Sequence, residues 1–397
     1  MLQYIEDCGK IILIGLGFLL GLLFVQPSVL AEEPEFDLTA RSALLMEAET
    51  GRVIYAHNPH RRLPPASMTK IMTMLLVMEA LEEGRVAFED EVVTSEYAAR
   101  MGGSQIWLEP GERLTLEEMM KGIAIVSAND CSVAVAEHIS GSATGFINDM
   151  NQRARELGME NSFFYNTNGL PSGSSEVQGN YMSAYDLGLV SRELLKYPRV
   201  LEWTSTWIDY LRDGDSVLNN TNRLVRFFPG ADGIKTGYTS EAGHGVTATA
   251  QRDNLRFIAV IMGAENSEKR FSEAAELLSY GFAAFEAKLI AEKEDTMAEI
   301  KVINARNPVV QIVVPGKVTV PLERGSEVAV KTRLLIEDNV EAPLNKGDQV
   351  GILEIYVEEE LVEQVELITA REVEKLSFFG LLGRIFMQIV ESLVTLF

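Results

Sequence analysis

The sequence predicts an α+β body followed by a small all-β unit. Three observations carry this. Strand-like runs stand near residue 42 and again across 243–263, with helical patterns at 68–81, 115–126, 131–140 and 183–196 between them. From about residue 298 the character changes to short β-branched runs separated by Pro and Gly. At 397 residues and 47% apolar content, the chain has enough to bury for several folded units and is not a disordered polymer.

A formal net charge of -23 argues against nucleic acid, which wants a basic face, and against a polybasic grip on anionic lipid. There are two cysteines, Cys8 and Cys131, and four histidines. None has the paired spacing of a metal site, so neither a metal nor another cofactor is expected.

In chain order, residues 1–31 read as an export signal. An apolar run at 11–25 leads to Val29-Leu30-Ala31, where short residues suit a signal peptidase. Glu6 and Asp7 against one Lys10 depart from the usual positive start, so an uncleaved anchor stays open as the alternative. Either way the body lies on the outer face of the cytoplasmic membrane. Residues 36–290 form the first body. In it, 42–46 and 52–56 are strands turned by Glu49-Thr50-Gly51. Residues 86–97 and 104–107 are short and partly β-like. Thr115 and Ser183 are helix caps, the latter with Asp186 at the capping-box position. A loop of Asn, Gly and Ser at 161–181 is placed to border a cleft. Strands at 243–250 and 255–263 follow, and a long amphipathic helix at 271–289 closes the body. Residues 298–372 are the small all-β unit. In the tail, 374–397, polar residues recur every three or four positions in one stripe, which suits a helix lying in the lipid interface. Cys131 and His138 read as packed side chains on the 131–140 helix.

Three short motifs bear chemistry. Pro64-Pro65-Ala66-Ser67-Met68-Thr69-Lys70 puts Ser67 at a helix start with Lys70 three residues on, on the same face. A serine needs a base to attack at neutral pH, and a lysine of lowered pKa serves. Ser127-Ala128-Asn129 is S-x-N. Lys235-Thr236-Gly237 sets a cation, a hydroxyl and a bare backbone side by side on a strand, where glycine allows close approach of a ligand. Each is common alone. Their order, with the last opening a strand, is informative.

That set resembles the active-site-serine penicillin-binding proteins and class A β-lactamases. Gly51-Arg52-Val53-Ile54-Tyr55, the residues around Ser67, Lys121-Gly122 and Gly233-Ile234 extend the likeness to the low-molecular-mass penicillin-binding proteins that are D-alanyl-D-alanine carboxypeptidases. So does the layout of signal, body, β unit and anchor. The resemblance implies the β-lactamase/transpeptidase-like fold, an antiparallel sheet flanked by helices. It implies peptidoglycan stem peptides ending in D-Ala-D-Ala as substrate and β-lactams as covalent inhibitors.

It also implies roles. Ser67 is the nucleophile and Lys70 its base. Ser127 relays the proton, and Asn129 holds Lys70 and the substrate amide. Lys235, Thr236 and Gly237 take the terminal carboxylate, assisted by Arg270. The backbone N–H groups of Ser67 and Tyr238 form the oxyanion hole. Asn166 to Leu170 and Tyr238 stand where relatives often have histidine. Three rivals stay in view: a D,D-endopeptidase, a β-lactamase, and a silent wall-binding or sensing protein. Glu176 lacks the E-x-x-L-N setting that β-lactamases use for deacylation.

Overall fold

The computed structural model describes residues 35–171, 179–377 and 380. The expected signal, the loop stretch with Glu176, and nearly all of the expected tail helix lie outside the described residues.

The chain enters the body through β1 (Ser42–Glu47) and β2 (Val53–His57), a hairpin turned at Gly51 with φ +75°. A short 3₁₀ turn, Ala66–Thr69, runs into α1 (Lys70–Glu82). Ten of the thirteen residues of α1 are buried, as befits a helix that is apolar nearly all round. Then come β3 (Glu91–Val93), α2 (Glu96–Ala99), β4 (Arg113–Thr115) and α3 (Leu116–Lys121). Thr115 and Glu118 close a reciprocal capping box on α3, worth about 1 kcal/mol.

The partly β-like reading holds for one stretch and not for the other. Of 86–97 only Glu91–Val93 is a strand, and 104–107 is irregular. The N–H groups of Ile106 and Leu108 go to the buried carboxylate of Asp130 and not to a neighbouring strand.

Next are α4 (Asn129–Ser140), α5 (Ala143–Glu156) and α6 (Ala184–Leu194). The sequence reading has no counterpart to α5. Its buried stripe is only Phe146, Met150 and Ala154 on an otherwise polar helix, too thin a pattern to stand out. Ser183 caps α6 as expected, while the Asp186 carboxylate turns away to accept from Asn161 N–H and Ser162 Oγ. The chain continues through α7 (Arg199–Thr204), a hairpin of β5 (Ile208–Leu211) and β6 (Ser216–Asn219), and a single turn α8 (Leu224–Phe227). It then lays down β7 (Ala231–Thr239), β8 (Gly243–Arg252) and β9 (Leu255–Ala264).

These five long strands make one antiparallel sheet in the order β2-β1-β9-β8-β7. The helix α9 (Ser267–Ala284) covers one face, with Gly281 set directly on Phe257. The opposite face, Leu44, Met46, Ile258, Val260 and Met262, joins the core of the helical cluster, where Gly188 of α6 meets Leu44 and Met46. Burial on both faces explains why β9 reads as an unbroken apolar run and not an alternating one.

The expected helix at 271–289 ends earlier, at Ala284. Phe285–Ala291 is a strand, β10, which pairs with β13 (Val318–Glu323). The apolar period of 271–284 continues into 285–291, so periodicity alone does not mark the switch. The remaining strands, β11 (Thr296–Lys301), β12 (Val309–Val313), β14 (Val330–Ile336), β15 (Gln349–Val357) and β16 (Glu360–Thr369), form a second antiparallel sheet ordered β11-β12-β16-β15-β14 over its own apolar core. Among the described residues no helix is long and apolar enough to cross a membrane.

The 165–170 loop is fitted tightly against the turn that carries Ser67. Gly169 has φ +83°, and a Cβ there would lie 1.8 Å from the Ala66 carbonyl oxygen. Gly169→Ala should therefore push loop and turn apart, lowering stability by about 2 kcal/mol or more. Thermal unfolding checks this; an unchanged melting temperature would contradict the fit.

Candidate active site

Two prolines set up the nucleophile turn. Pro65 precedes the 3₁₀ turn, Ala66 takes φ +49°, and Ser67 follows, so Ser67 sits in the 3₁₀ turn that opens directly into α1, three residues ahead of Lys70. Lys70 opens α1 and is fully buried. Its Nζ lies 3.1 Å from Ser67 Oγ, donates to Asn129 Oδ1 at 2.6 Å and donates to the Asn168 carbonyl at 2.9 Å. Asn129 Nδ2 in turn donates to the Gly102 carbonyl at 2.7 Å, which fixes the way the amide faces.

These partners suit a neutral amine as well as an ammonium. Asn129 Oδ1 and the Asn168 carbonyl only accept. A neutral amine has two hydrogens for them and one lone pair left, and the remaining neighbour is the Ser67 hydroxyl. Burial, and then the charge of Lys235, hold Lys70 well below the ordinary lysine pKa, with Asp130 pulling the other way. The arrangement is that of a base poised on a serine.

Ser127 comes from a different construction. Residues Gly122–Val126 form a π-helical turn, closed by Ala128 N–H on the Gly122 carbonyl, and Ser127 ends it in the left-handed region at φ +68°. Such turns and such φ values are costly and concentrate at functional sites. Ser127 is buried, and its Oγ has no hydrogen-bond partner among the described residues. Behind it Asp130 gathers N–H donors from Ile106, Leu108 and Cys131, tying the 102–108 segment to the start of α4. Cys131 is buried as expected, with its thiol pKa pushed up by burial and by Asp130. His138 sits on the outer part of α4, 3.8 Å from Asp90.

The third wall is β7, an edge strand whose one sheet neighbour is β8. The Ser67 turn packs beside it at Gly237. A Cβ on Gly237 would come within 2.6 Å of the Pro65 carbonyl oxygen. The glycine expected to admit a ligand thus admits the nucleophile turn. Lys235 is buried, and among the described residues its Nζ has only the Thr236 carbonyl, at 3.4 Å. Burial and then Arg270 lower its pKa to about 7. Thr236 Oγ1 donates to Thr221 Oγ1 at 2.8 Å. Arg270, on α9, clamps β7 to β8 by donating to the Gly237 carbonyl at 3.2 Å and the Gly245 carbonyl at 3.4 Å. Its pKa falls to about 10 through burial and Arg223. Tyr238 is 58% exposed and stacks on His244 at 4.3 Å.

All nine residues singled out in the sequence fall in this one region. Sequence reasoning missed two supports. One is the Asn168 carbonyl, held by a loop built from asparagine side chains: Asn166 Oδ1 accepts from Gly169 N–H, and Asn180 ties Tyr165 and Asn166 to Thr69. The loop composition was visible, but a backbone acceptor leaves no residue-type signal. The other is segment 220–224, which joins Thr236 to the turn before Ser127 through Thr221 N–H on the Ile125 carbonyl.

Comparison with known proteins gives a consistent result. A family profile described as D-alanyl-D-alanine carboxypeptidase matches residues 28–266, and one described as the C-terminal domain of penicillin-binding protein 5 matches 285–375. The chain is 42% identical to the D-alanyl-D-alanine carboxypeptidase DacF of Bacillus subtilis over 91% of its own length and 94% of the relative's. It is 32% identical to the D-alanyl-D-alanine carboxypeptidase DacC of Escherichia coli, over 88% and 87%. Among solved structures, the Streptococcus pneumoniae peptidoglycan synthesis regulatory factor PBP3 aligns with a TM-score of 0.72 at 27% identity, covering 85% of this chain and 100% of the other. Penicillin-binding protein 5 of Haemophilus influenzae aligns at 0.67 with 29% identity, covering 86% and 99%.

The buried lysines carry a stability cost with a defined pH window. Lys235 binds its proton less tightly folded, near 7, than unfolded, near the ordinary 10.5. Between these values the unfolded state holds more protons, so stability rises with pH across that window and is lowest below it. At pH 7 the cost is on the order of 4 kcal/mol. Lys235→Met should therefore raise the melting temperature by several degrees at pH 7, with the gain shrinking towards pH 10. A variant that melts lower than the parent at both pH values would show that Lys235 is stabilising where it lies.

Proposed function

The chain belongs to the D-alanyl-D-alanine carboxypeptidase family, and on that premise we propose how its residues remove the terminal D-Ala from peptidoglycan stem peptides. It is a serine-type D-Ala-D-Ala carboxypeptidase. The observation that carries the residue roles is the buried Lys70 amine between two pure acceptors and the Ser67 hydroxyl.

Ser67 Oγ attacks the carbonyl of the penultimate D-Ala as its proton passes to Lys70 Nζ. The oxyanion that forms is held by the backbone N–H groups of Ser67 and Tyr238. Ser127, whose hydroxyl has no hydrogen-bond partner among the described residues, delivers a proton to the leaving amine and is resupplied from Lys70. The C–N bond breaks, and D-Ala departs with its carboxylate on Lys235 and Thr236. Water then attacks the Ser67 ester, Lys70 again taking the proton, and Ser67 is freed. Asn129 orients Lys70 and the substrate amide. Gly237 seats the strand against the Ser67 turn, and Arg270 fixes the strand pair. An edge strand suits an extended peptide, which can add to its free side. β-Lactams acylate Ser67 by the same route and leave slowly. The relatives favour this over the endopeptidase and β-lactamase readings.

We further propose that the protein is exported and works at the outer face of the cytoplasmic membrane, held by residues 374–397, with the catalytic body and the β unit meeting at the junction of α9 and β10. Deleting 376–397 should release the signal-processed protein from membranes; retention of the truncated form on membranes would refute the anchor.

The enzymatic reading is tested on a peptide ending in D-Ala-D-Ala beside a labelled penicillin. Steady D-Ala release with a long-lived adduct is expected, and Ser67→Ala should lose both, by about 10⁴-fold or more in turnover. Labelling that persists in Ser67→Ala would overturn the nucleophile; rapid penicillin turnover without D-Ala release would return the chain to the β-lactamases.

A further inference from the structure

Asp130 keeps a charge that a tether does not need. It is fully buried. Its carboxylate takes the N–H groups of Ile106 at 3.2 Å, Leu108 at 3.1 Å and Cys131 at 3.0 Å, all of them neutral peptide donors. Arg212 reaches the same segment but directs its donors to Glu112, Ser216 and the Ile106 carbonyl. Elsewhere the chain ties loops with neutral acceptors. Asn180 Oδ1 takes the N–H groups of Tyr165 and Asn166, and Asn222 Oδ1 takes that of Leu224. A buried carboxylate held by peptide N–H groups alone is costly where an amide would serve.

That charge stands one residue from the amide that holds the base. Asn129 Oδ1 accepts from Lys70 Nζ at 2.6 Å. The Asn129 peptide N–H and its Nδ2 go to the carbonyls of Ser104 and Gly102, on the segment that Asp130 grips. Lys70, Asn129, residues 102–108 and Asp130 thus form one closed unit. The reaction takes the proton from Ser67 Oγ to Lys70 Nζ, and that ammonium then gives it up, through Ser127, to the leaving amine. Burial and the Lys235 cation oppose the ammonium, while Asp130 favours it. Cys131, the neighbouring thiol, stays protonated because burial pushes its pKa up. Arg212 and Glu112, on the far side, pair with each other, and Arg270 acts on Lys235. We propose that Asp130 is a positioning residue acting through Lys70: its buried charge supports the ammonium that Lys70 becomes on taking the Ser67 proton. The inference rests on the carboxypeptidase reading of the same site.

The test is the pH profile of second-order acylation by a labelled penicillin, on the full-length protein in detergent, for the parent, Asp130→Asn and Asp130→Glu. In the parent the rate falls on the acid side as Lys70 is protonated. Without the negative charge Lys70 binds its proton less tightly, so the acid limb of Asp130→Asn should move to lower pH, by about one unit. A weaker base is also a slower one, so the plateau rate should fall about three- to tenfold. The alkaline limb, set by Lys235, should stay where it is. Asp130→Glu keeps the charge and should keep the parent's acid limb, whatever its rate. A lower rate at every pH with an unmoved limb in Asp130→Asn would leave Asp130 a tether and overturn the proposal. So would an Asp130→Glu limb displaced as far as that of Asp130→Asn. The parent supplies a check that needs no folded variant: acylation that stays flat down to about pH 5, near the ordinary carboxylate range, would show a base without anionic support and overturn the proposal as well. A parent that is not acylated at any pH would sink the carboxypeptidase reading and this inference with it.

Discussion

Much of this structure follows from keeping one amine dry. A lysine ammonium taken out of water costs several kcal/mol unless it is paired, and among the described residues Lys70 has no carboxylate in contact. The protein's solution is to hold its proton affinity well below that of an ordinary lysine and to satisfy its hydrogens. That requires two acceptors at fixed positions, plus a hydroxyl. The acceptors come from α4 and from the 165–170 loop, and the hydroxyl from the turn before α1. A centrally buried α1, a left-handed Ser127 and an asparagine-stitched loop are the means by which distant parts of the chain meet at that nitrogen.

The second constraint is closeness between backbone and backbone. The Ser67 turn is pressed against β7 at Gly237 and against the 165–170 loop at Gly169, both at separations that exclude a Cβ. The nucleophile is thus held from two sides by main chain and not by mobile side chains. Main-chain contacts have no rotamers to lose, which favours a site whose reacting atoms must stay aligned. Asp130 does the same for the third side: one buried carboxylate gathers donors from 106, 108 and 131 and so fixes the segment whose Gly102 carbonyl orients Asn129.

Legibility in the sequence followed the kind of interaction involved. The sheet strands 42–47, 243–252 and 255–264 and the capped helices at 116 and 184 were readable because burial and capping write themselves into residue type. The chemistry was readable because Ser67, Lys70, Ser127, Asn129 and Lys235 are rare in that order. What escaped was carried by backbone or by continuity. Residues 104–107 look β-like, but Ile106 and the adjoining Leu108 bond Asp130. The apolar period of α9 runs on into β10 without a break. The Asn168 carbonyl and the Thr221 bridge depend on where the main chain runs, and Gly237 serves a protein contact where a ligand contact was expected.

On the proposed role of Lys235 as the carboxylate site, the electrostatics account for a reaction at a chain end. Lys235 is buried with Arg270 close by and no carboxylate in contact among the described residues, so its charge is costly and at neutral pH only partly present. A substrate carboxylate is the counter-ion this pocket lacks. On binding it raises the proton affinity of Lys235, restoring the cation that grips it. An internal peptide bond brings a neutral amide to the same place and leaves the cost uncompensated. The two differ in charge exactly where the site is short of one, and discrimination by an unsatisfied buried charge is far larger than any that apolar contact supplies. On that proposed role, preference for a terminal D-Ala is tied to the same buried charges that lower the pKa of Lys70, since Lys235 contributes to both.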